Sequence, residues 1–352
     1  MFVRWDEQRV GEESERPLPG LAVDWVRTFD APEALGIRFH EVRAKSGLNH
    51  VPGSRFGFNW TINLFRGCTH ACKYCFARPT HRYLDLDAGR DFEREIVVKV
   101  NLPEVLRAEL RRPSWKRELV AIGTNTDPYQ WVEGRYKLMP PVLDALHEAR
   151  TPVSVLTKSP LALRDIDRYA EMAAAAGASV NLSVPTLDEK AWRATEPHTP
   201  HPRARLDAVA ELSSRGIESG VLVMPLMPGI NDDPAQVDEL VHLAREAGAA
   251  SVASTGLHLR GEVRDVFFGW LGEKRPDLIP RYEQLYAGGA YLPKSESRRL
   301  NSLVKGWGRN RRRYSAGGAG STVSGPRAPG STAGKRAPRD RTRRRAAQES
   351  LF

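Results

Sequence analysis

Three cysteines, Cys68, Cys72 and Cys75, stand close together, and the 352 residues include no others. One loop with a Cys-x3-Cys-x2-Cys spacing can offer three thiolates, and thiolates are the soft ligands that iron–sulfur clusters use. Three thiolates leave one iron of a [4Fe–4S] cluster without a protein ligand. Because an open metal position can bind a substrate or a cofactor, the spacing predicts an iron–sulfur centre that takes part in chemistry.

A structural zinc site is the alternative interpretation of this loop. His70 could join the three cysteines as a nitrogen ligand, and the chain would then be a nucleic-acid-binding protein in which the zinc, or even a cluster, is not catalytic. His70 lies only two residues from Cys68 and from Cys72, which is tighter than usual zinc patterns, so the cluster is favoured. A disulfide is least favoured, because an odd, tightly grouped set of cysteines in a long chain indicates a metal in a reducing cytosol.

The residues around the cysteines carry a family resemblance. Tyr74 directly precedes the last cysteine, and the wider string runs from Arg66-Gly67-Cys68 to Ala77-Arg78-Pro79-Thr80-His81. This string resembles the radical S-adenosylmethionine (radical SAM) superfamily, and within it the spore-photoproduct-lyase-like branch of DNA repair photolyase-like proteins. The resemblance implies that S-adenosylmethionine chelates the open iron and is cleaved reductively by one electron. The product is a 5′-deoxyadenosyl radical, which abstracts hydrogen from a substrate.

The resemblance also implies partners. An electron donor of the flavodoxin or ferredoxin type would reduce the cluster. Nucleic acid, either DNA or RNA, is the first substrate class to test, and modification of a protein or of a small molecule stays open.

The order of strand-like and helix-like segments predicts the scaffold of this loop. Apolar, β-prone runs occupy 59–65, 119–122, 153–157, 179–184, 220–225 and 250–254, and segments of helical period occupy 139–149, 161–175, 203–215 and 233–247. Strand–helix repeats with continuous apolar strands indicate an α/β fold with a buried parallel sheet. About six such units are fewer than a closed barrel contains, which matches the partial (β/α)6 TIM-type barrel that the resemblance implies. The segment 92–100 has no clear place in this scheme.

Composition divides the chain into four parts. We predict an N-terminal extension over 1–50, the barrel over 51–260, a helical closure over 261–305 and a disordered basic tail over 306–352. Residues 309–352 hold twelve Arg and Lys against two acidic residues, which is the whole formal net charge of +10. Such a tail cannot bury enough apolar surface to fold, but it can bind the phosphates of DNA or RNA.

Two further features bear on localisation. The chain has no apolar run of the roughly 18 residues that a membrane helix needs. Acidic residues follow the N-terminal Met1-Phe2-Val3-Arg4-Trp5 where a signal peptide would be apolar. We therefore expect a cytoplasmic protein without a membrane partner.

The carboxyl ends of the predicted strands supply the candidate cofactor residues, because ligands of parallel α/β folds bind there. The resemblance implies that several of them contact S-adenosylmethionine and that the backbone beside Tyr74 binds its adenine. The candidate cofactor residues are Tyr74, Thr124, Asn125, Thr126, Asp127, Lys158 and Ser183. A lysine at a strand end suits the cofactor carboxylate. Asn125 and Asp127 have a competing interpretation, because both residue types commonly form turns. For Ser183 the competing interpretation is a hydroxyl that is hydrogen-bonded to nearby backbone.

The hydrogen-atom donor has two candidates in the sequence. The resemblance implies that the photoproduct lyase itself donates hydrogen from a cysteine on the turn after the second strand, and this turn has none. We therefore predict that Tyr129 or Tyr83 takes the catalytic role, or that the reaction is a different one. The Pro-rich loop 196–202, with His198 and His201, is a further candidate substrate loop.

Overall fold

The computed structural model of the protein describes residues 9–12, 18–19, 21–52 and 57–304, with 9–12 described as backbone only. Its strands fall into two sheets. In chain order they are β1 Arg9–Glu12, β2 Val23–Phe29, β3 Arg38–Val42, β4 Asn49–His50, β5 Trp60–Ile62, β6 Phe65–Arg66, β7 Glu95–Lys99, β8 Val120–Ile122, β9 Val153–Thr157, β10 Ala178–Ser183, β11 Glu218–Leu226 and β12 Ser251–Gly256.

Helices follow most of the strands. The α-helices are α1 Arg90–Arg94, α2 Leu102–Leu110, α3 Glu133–Tyr136, α4 Met139–Glu148, α5 Ile166–Ala175, α6 Glu189–Thr195, α7 Pro202–Ser214, α8 Pro234–Glu246, α9 Val263–Lys274, α10 Ile279–Leu285 and α11 Lys294–Leu303. Short 3-10 helices occupy Pro32–Ala34, Arg78–Leu84, Pro160–Asp165 and Pro276–Leu278. None of the helices in these described ranges is long and apolar enough to cross a membrane.

The larger sheet is the predicted partial barrel. Its strand order is β12-β11-β10-β9-β8-β5-β4, and all neighbours from β5 to β12 are parallel, while β4 pairs antiparallel with β5. One row across the sheet joins Ile62, Ile122, Val155 and Val180, and all four side chains are fully buried. Such register is stable because a slip by one residue would expose the row. The predicted (β/α)6 architecture is therefore confirmed.

Amphipathic helices bury the outer face of this sheet. Their core positions include Val142 and Leu146 of α4, Met172 of α5, Leu212 of α7 and Leu240 of α8. In β9 the helix-facing Val153 and Val155 are fully covered, whereas Ser154 and Leu156 on the opposite face are only half-buried. The inner face of the barrel is thus more exposed than expected, since the sequence predicted a buried sheet.

The predicted helical segments are confirmed, except that one of them is divided. The segment 233–247 is α8, where Asp233 accepts a hydrogen bond from the backbone N–H of Gln236 as the N-cap and Pro234 is the first residue. The segment 161–175, predicted as one helix, is instead the 3-10 turn Pro160–Asp165 followed by α5. Ser159 causes this change, because its side chain accepts from Leu161 N and starts a tight turn.

A second sheet accounts for the segment that the sequence did not place. Its order is β1-β2-β3-β7-β6, so 95–99 forms a strand parallel to β3 and antiparallel to β6. The run 59–65, predicted as one strand, is therefore divided between the two sheets. Because β6 ends at Arg66, the cysteine loop emerges from the junction between the sheets.

The C-terminal helices cover the far edge of the barrel. Leu292 and Leu300 of this region pack beside Gly256 of β12. The domain boundaries that we drew at 50, 260 and 305 stay predictions, and the basic tail 306–352 lies outside the described residues.

Candidate active site

The cysteine loop joins β6 to the 3-10 helix Arg78–Leu84. Cys68 and Cys72 are buried, Cys75 is partly buried, and none of the three forms a disulfide. Gln130, itself fully buried, accepts from Thr69 N at 2.9 Å and donates to Gly67 O at 3.2 Å. The turn after β8 therefore fixes the start of the loop.

The thiols lie in surroundings that oppose their ionisation. Burial raises the pKa of Cys68 to about 12, and the nearby carboxylate of Asp127 adds to the rise. Burial also raises the pKa values of Cys72 and Cys75. A bound metal lowers thiol pKa values by supplying positive charge, so three soft donors on one loop fit an iron–sulfur cluster.

Asp127 joins the turn after β8 to the end of β9. Its Oδ1 accepts from Thr157 Oγ1 at 2.6 Å, and its Oδ2 accepts from Lys158 N at 2.7 Å. Gly123 permits this close approach, because its φ of +88° is left-handed and a Cβ there would lie 1.9 Å from Leu156 O.

The remaining turn residues stand at the same edge. Thr126 is buried and donates to Phe65 O at 3.0 Å, while Thr124 and Asn125 are half-buried. Local turn chemistry thus accounts for part of the polar density of this turn, as the competing interpretation expects.

Three of the predicted cofactor residues meet beside the cysteine loop. Lys158 Nζ donates to Ser183 Oγ at 2.6 Å and lies 5.7 Å from the ring centroid of Tyr74. Because Tyr74 sits between Cys72 and Cys75, the ends of β9 and β10 converge on the cysteine loop. The side chain of Lys158 keeps 15% of its surface exposed.

Glu196 begins the candidate substrate loop 196–202, but the sequence did not single it out as a site residue. Its Oε1 lies 2.9 Å from Lys158 Nζ, its Oε2 lies 2.7 Å from Arg205 Nη2, and Tyr74 donates a hydrogen bond to it. Burial opposes the charge of this carboxylate, but Arg205 and Lys158 outweigh that cost and lower its pKa to about 2. A fully buried carboxylate with a lowered pKa therefore links the cysteine loop to the strand ends.

The loop around Glu196 was singled out for its histidines, and these do not enter the site. His198 is exposed, and His201 accepts from Arg203 N at 3.2 Å as the N-cap of α7. The backbone next to Glu196 also contacts the cysteine loop, since Lys73 N donates to Thr195 O at 2.9 Å. An acidic residue among prolines was the only signal of this arrangement in the sequence.

Comparison with known proteins gives the family. The profile of the Radical SAM superfamily matches residues 62–258, which is more than half of the chain. The chain belongs to the radical SAM superfamily. It is 46% identical over 308 residues to an uncharacterized protein of Mycobacterium tuberculosis, covering 86% of this chain and 91% of that protein. An uncharacterized protein of Methanocaldococcus jannaschii is 27% identical over 198 residues, covering 56% of this chain and 70% of that protein.

Solved structures of spore photoproduct lyase share the fold of this radical SAM enzyme. A mutant lyase superposes with a TM-score of 0.57 at 16% identity, and the alignment covers 76% of this chain and 77% of the lyase chain. A lyase structure with bound S-adenosylmethionine and dinucleoside spore photoproduct gives a TM-score of 0.57 at 14% identity with the same coverage. The family match therefore confirms the predicted superfamily, and the likeness to spore photoproduct lyase is one of fold.

The zinc alternative requires His70 as its fourth ligand. His70 Nδ1 faces Asp127 Oδ2 at 3.4 Å, and burial lowers the pKa of His70. Among the described residues, no group of three or more His, Cys, Asp or Glu side chains surrounds a point where one metal ion would sit.

The two tyrosines predicted as hydrogen donors lie in different surroundings. The hydroxyl of Tyr129 is buried, donates to Asp165 Oδ2 at 2.9 Å and lies 2.7 Å from Tyr169 Oη, which turns it toward α5. Tyr83 is 57% exposed on the 3-10 helix that follows the cysteine loop. Tyr83 is thus accessible near the loop, whereas Tyr129 is part of a packed polar cluster.

Proposed function

We propose that this enzyme holds a [4Fe–4S] cluster on Cys68, Cys72 and Cys75 and cleaves S-adenosylmethionine reductively. The observation that carries the proposal is the contact of Lys158 Nζ with Ser183 Oγ beside Tyr74, because residues from three separate segments meet next to the cysteine loop. When bound, the cluster supplies the electron and S-adenosylmethionine supplies the 5′-deoxyadenosyl radical that abstracts hydrogen from the substrate.

The residues of the chain bind and orient the cofactor in this proposal. The Lys158 ammonium has hydrogen-bond capacity beyond Ser183 and Glu196, and a carboxylate is the partner that its charge favours. Thr124 and Asn125 offer polar groups to the ribose and the amino group. The backbone beside Tyr74 is the proposed contact of the adenine edge, and Thr126 and Asp127 hold the turn in place.

Two kinds of partner belong to the proposal. Radical SAM enzymes need an electron donor, and we propose one of the flavodoxin or ferredoxin type. For the substrate we propose nucleic acid, since the lyase of similar fold binds a dinucleoside photoproduct. Phe76 and Tyr83 are 64% and 57% exposed beside the cysteine loop and are able to stack on bases.

A tyrosine would then complete the reaction. The chain has no cysteine outside the metal loop to donate a hydrogen atom. The exposure of Tyr83 supports it as the donor, while the hydrogen bonds of Tyr129 to Asp165 and Tyr169 favour a structural role for that residue.

Anaerobic reconstitution tests the proposed function. The chain is loaded with iron and sulfide, reduced with dithionite and given S-adenosylmethionine, and 5′-deoxyadenosine is followed by chromatography. We expect product from the wild type, and neither cluster nor product from a soluble Cys72→Ala variant. Full iron in Cys72→Ala would place the iron site elsewhere, and failure of the loaded wild type to bind S-adenosylmethionine would reject the proposal.

A further inference from the structure

Arg78 is a completely buried arginine three residues after the last cysteine. Its Nε and Nη2 donate to Cys72 O at 3.0 and 2.9 Å, and Nη2 also donates to Ala71 O at 3.2 Å. Burying a guanidinium is costly unless its N–H groups find partners. Here the backbone of the cysteine loop supplies them.

The other side of the guanidinium is also held by hydrogen bonds. Its Nη1 donates to Ala88 O at 2.9 Å and to Gly89 O at 2.8 Å, and its Cζ lies 5.3 Å from the ring centroid of Phe92. The planar fork therefore ties the cysteine loop to the segment that precedes α1. Lysine carries the same charge but has no fork to make these bonds.

The loop needs such support because its backbone is strained. Ala71 has a φ of +55°, a left-handed conformation that is unfavourable for an ordinary L-residue. This residue sits between Cys68 and Cys72, so its conformation sets how the two thiols are presented. The bonds from Arg78 to the carbonyls of Ala71 and Cys72 hold both peptide planes at this point.

Charge is the second property of Arg78. Glu93 pairs with Arg78, but the same Oε1 also lies 3.1 Å from Lys73 Nζ. Two cations share one carboxylate, and a net positive charge remains beside the loop. Net charge and burial around an iron–sulfur cluster set its reduction potential, and positive charge favours the reduced form.

We propose that Arg78 is a positioning residue of the cluster loop, which holds the Ala71–Cys72 backbone for metal binding and raises the reduction potential of the bound cluster. This inference rests on the proposed cluster. No contact of Arg78 with the cofactor or the substrate is needed for it.

Two variants separate the fork of Arg78 from its charge. Arg78→Lys keeps the charge, and Arg78→Gln removes both. Arg82→Gln is the control, since Arg82 lies on the same 3-10 helix, is 71% exposed and pairs with Glu262 at the surface. Thermal unfolding of the apoproteins, iron and sulfide per chain, and the midpoint potential of the cluster are measured for each.

We expect both Arg78 variants to lose more than half of the bound iron. The potential of the remaining cluster should become more negative in Arg78→Gln and stay near the wild-type value in Arg78→Lys, while Arg82→Gln should match the wild type. Full iron in a folded Arg78→Lys would overturn the positioning role, and equal potentials in both variants would overturn the role of the charge.

A folding failure of Arg78→Gln leaves the inference testable. Arg78→Lys then tests the positioning role. Glu93→Gln tests the effect of charge on the cluster, because loss of the shared carboxylate should raise the reduction potential. An unchanged potential in Glu93→Gln would contradict the role of the charge. A wild type that binds no iron would overturn the proposed function as well, whereas a loaded wild type with unaffected Arg78 variants would overturn this inference alone.

Discussion

Lys158 and Glu196 form a buried ion pair at the point where the cysteine loop meets the carboxyl ends of the strands, with Nζ 2.9 Å from Oε1. Arg205 holds the other oxygen of the same carboxylate at 2.7 Å. Two cations against one anion leave one positive charge unmatched in this group. A cofactor carboxylate bound at Lys158 would balance the site.

Replacing Glu196 by Gln tests how much this arrangement contributes to the fold. The substitution keeps the shape and removes the charge, so Arg205 stays fully buried without its anion. Breaking such a pair costs about 3–5 kcal/mol, and we expect the free energy of unfolding of the apoprotein to fall by this amount in urea titrations. Glu189→Gln is the matched control. Its exposed pair with Arg193 should contribute less than about 1 kcal/mol, and equal effects of the two variants would contradict the prediction.

The same carboxylate predicts a pH dependence of stability. Burial raises its pKa, but Arg205 and Lys158 more than compensate and bring it to about 2, below its ordinary value of 4.5. Between these values the unfolded chain binds the proton and the folded chain does not, so acid destabilises the fold. The stability difference between wild type and Glu196→Gln should be constant above pH 4.5 and shrink as the pH falls toward 2. A difference independent of pH in this window would show that the pKa of Glu196 is not lowered.

Gly123→Ala should disrupt the turn after β8, which carries the proposed cofactor residues. The added Cβ would lie 1.9 Å from Leu156 O, and because that atom is backbone, β8 and β9 must separate. Gly57→Ala is the control, since Gly57 has a similar φ of +86° and nothing within 4 Å of the added Cβ. We expect about 1–2 kcal/mol of destabilisation at Gly57 and about 1–3 kcal/mol more at Gly123 from overpacking, measured by chemical denaturation. Equal losses would mean that the close approach of the strands is not needed.

Deleting residues 309–352 tests whether the basic tail binds nucleic acid. The deletion removes twelve basic and two acidic residues. Binding to an oligonucleotide should weaken, and its dependence on salt should become shallower, because fewer phosphates release counterions. Replacing only Arg343, Arg344 and Arg345 by Gln should give an intermediate slope. Cleavage of S-adenosylmethionine should not change, and unchanged oligonucleotide binding would move the contact to the barrel.

Local patterns were enough to predict the barrel and the superfamily. The six parallel strands are short apolar runs with helices of clear period between them, and the three cysteines lie within eight residues of each other. The second sheet could not be predicted in this way. Its strand β6 has two residues, and its β3 and β7 pair across more than fifty residues of intervening chain.

The site shows the same limit at the level of single residues. Lys158 and Ser183 were selected as candidates because each follows a predicted strand. Glu196 follows α6, and its pairing with Lys158 and Arg205 depends on how that loop folds back. Tyr129 was selected from its place in the turn after β8. The burial of its hydroxyl against Asp165 and Tyr169 is decided by the packing of α5, which the sequence does not reveal.

Lys158→Met tests the proposed role of the ammonium in cofactor binding. Met keeps an unbranched apolar stem and removes the charge, so the contact with the cofactor carboxylate is lost. A hydrogen bond to a charged group contributes about 1.5–3 kcal/mol, and we expect S-adenosylmethionine to bind about ten- to a hundredfold more weakly to the reconstituted protein without reductant. Iron content should equal that of the wild type, because the three cysteines are untouched. Lys190→Met, at an exposed lysine of α6, should bind normally. Wild-type affinity in a fully loaded Lys158→Met protein would show that the cofactor carboxylate is held by another group.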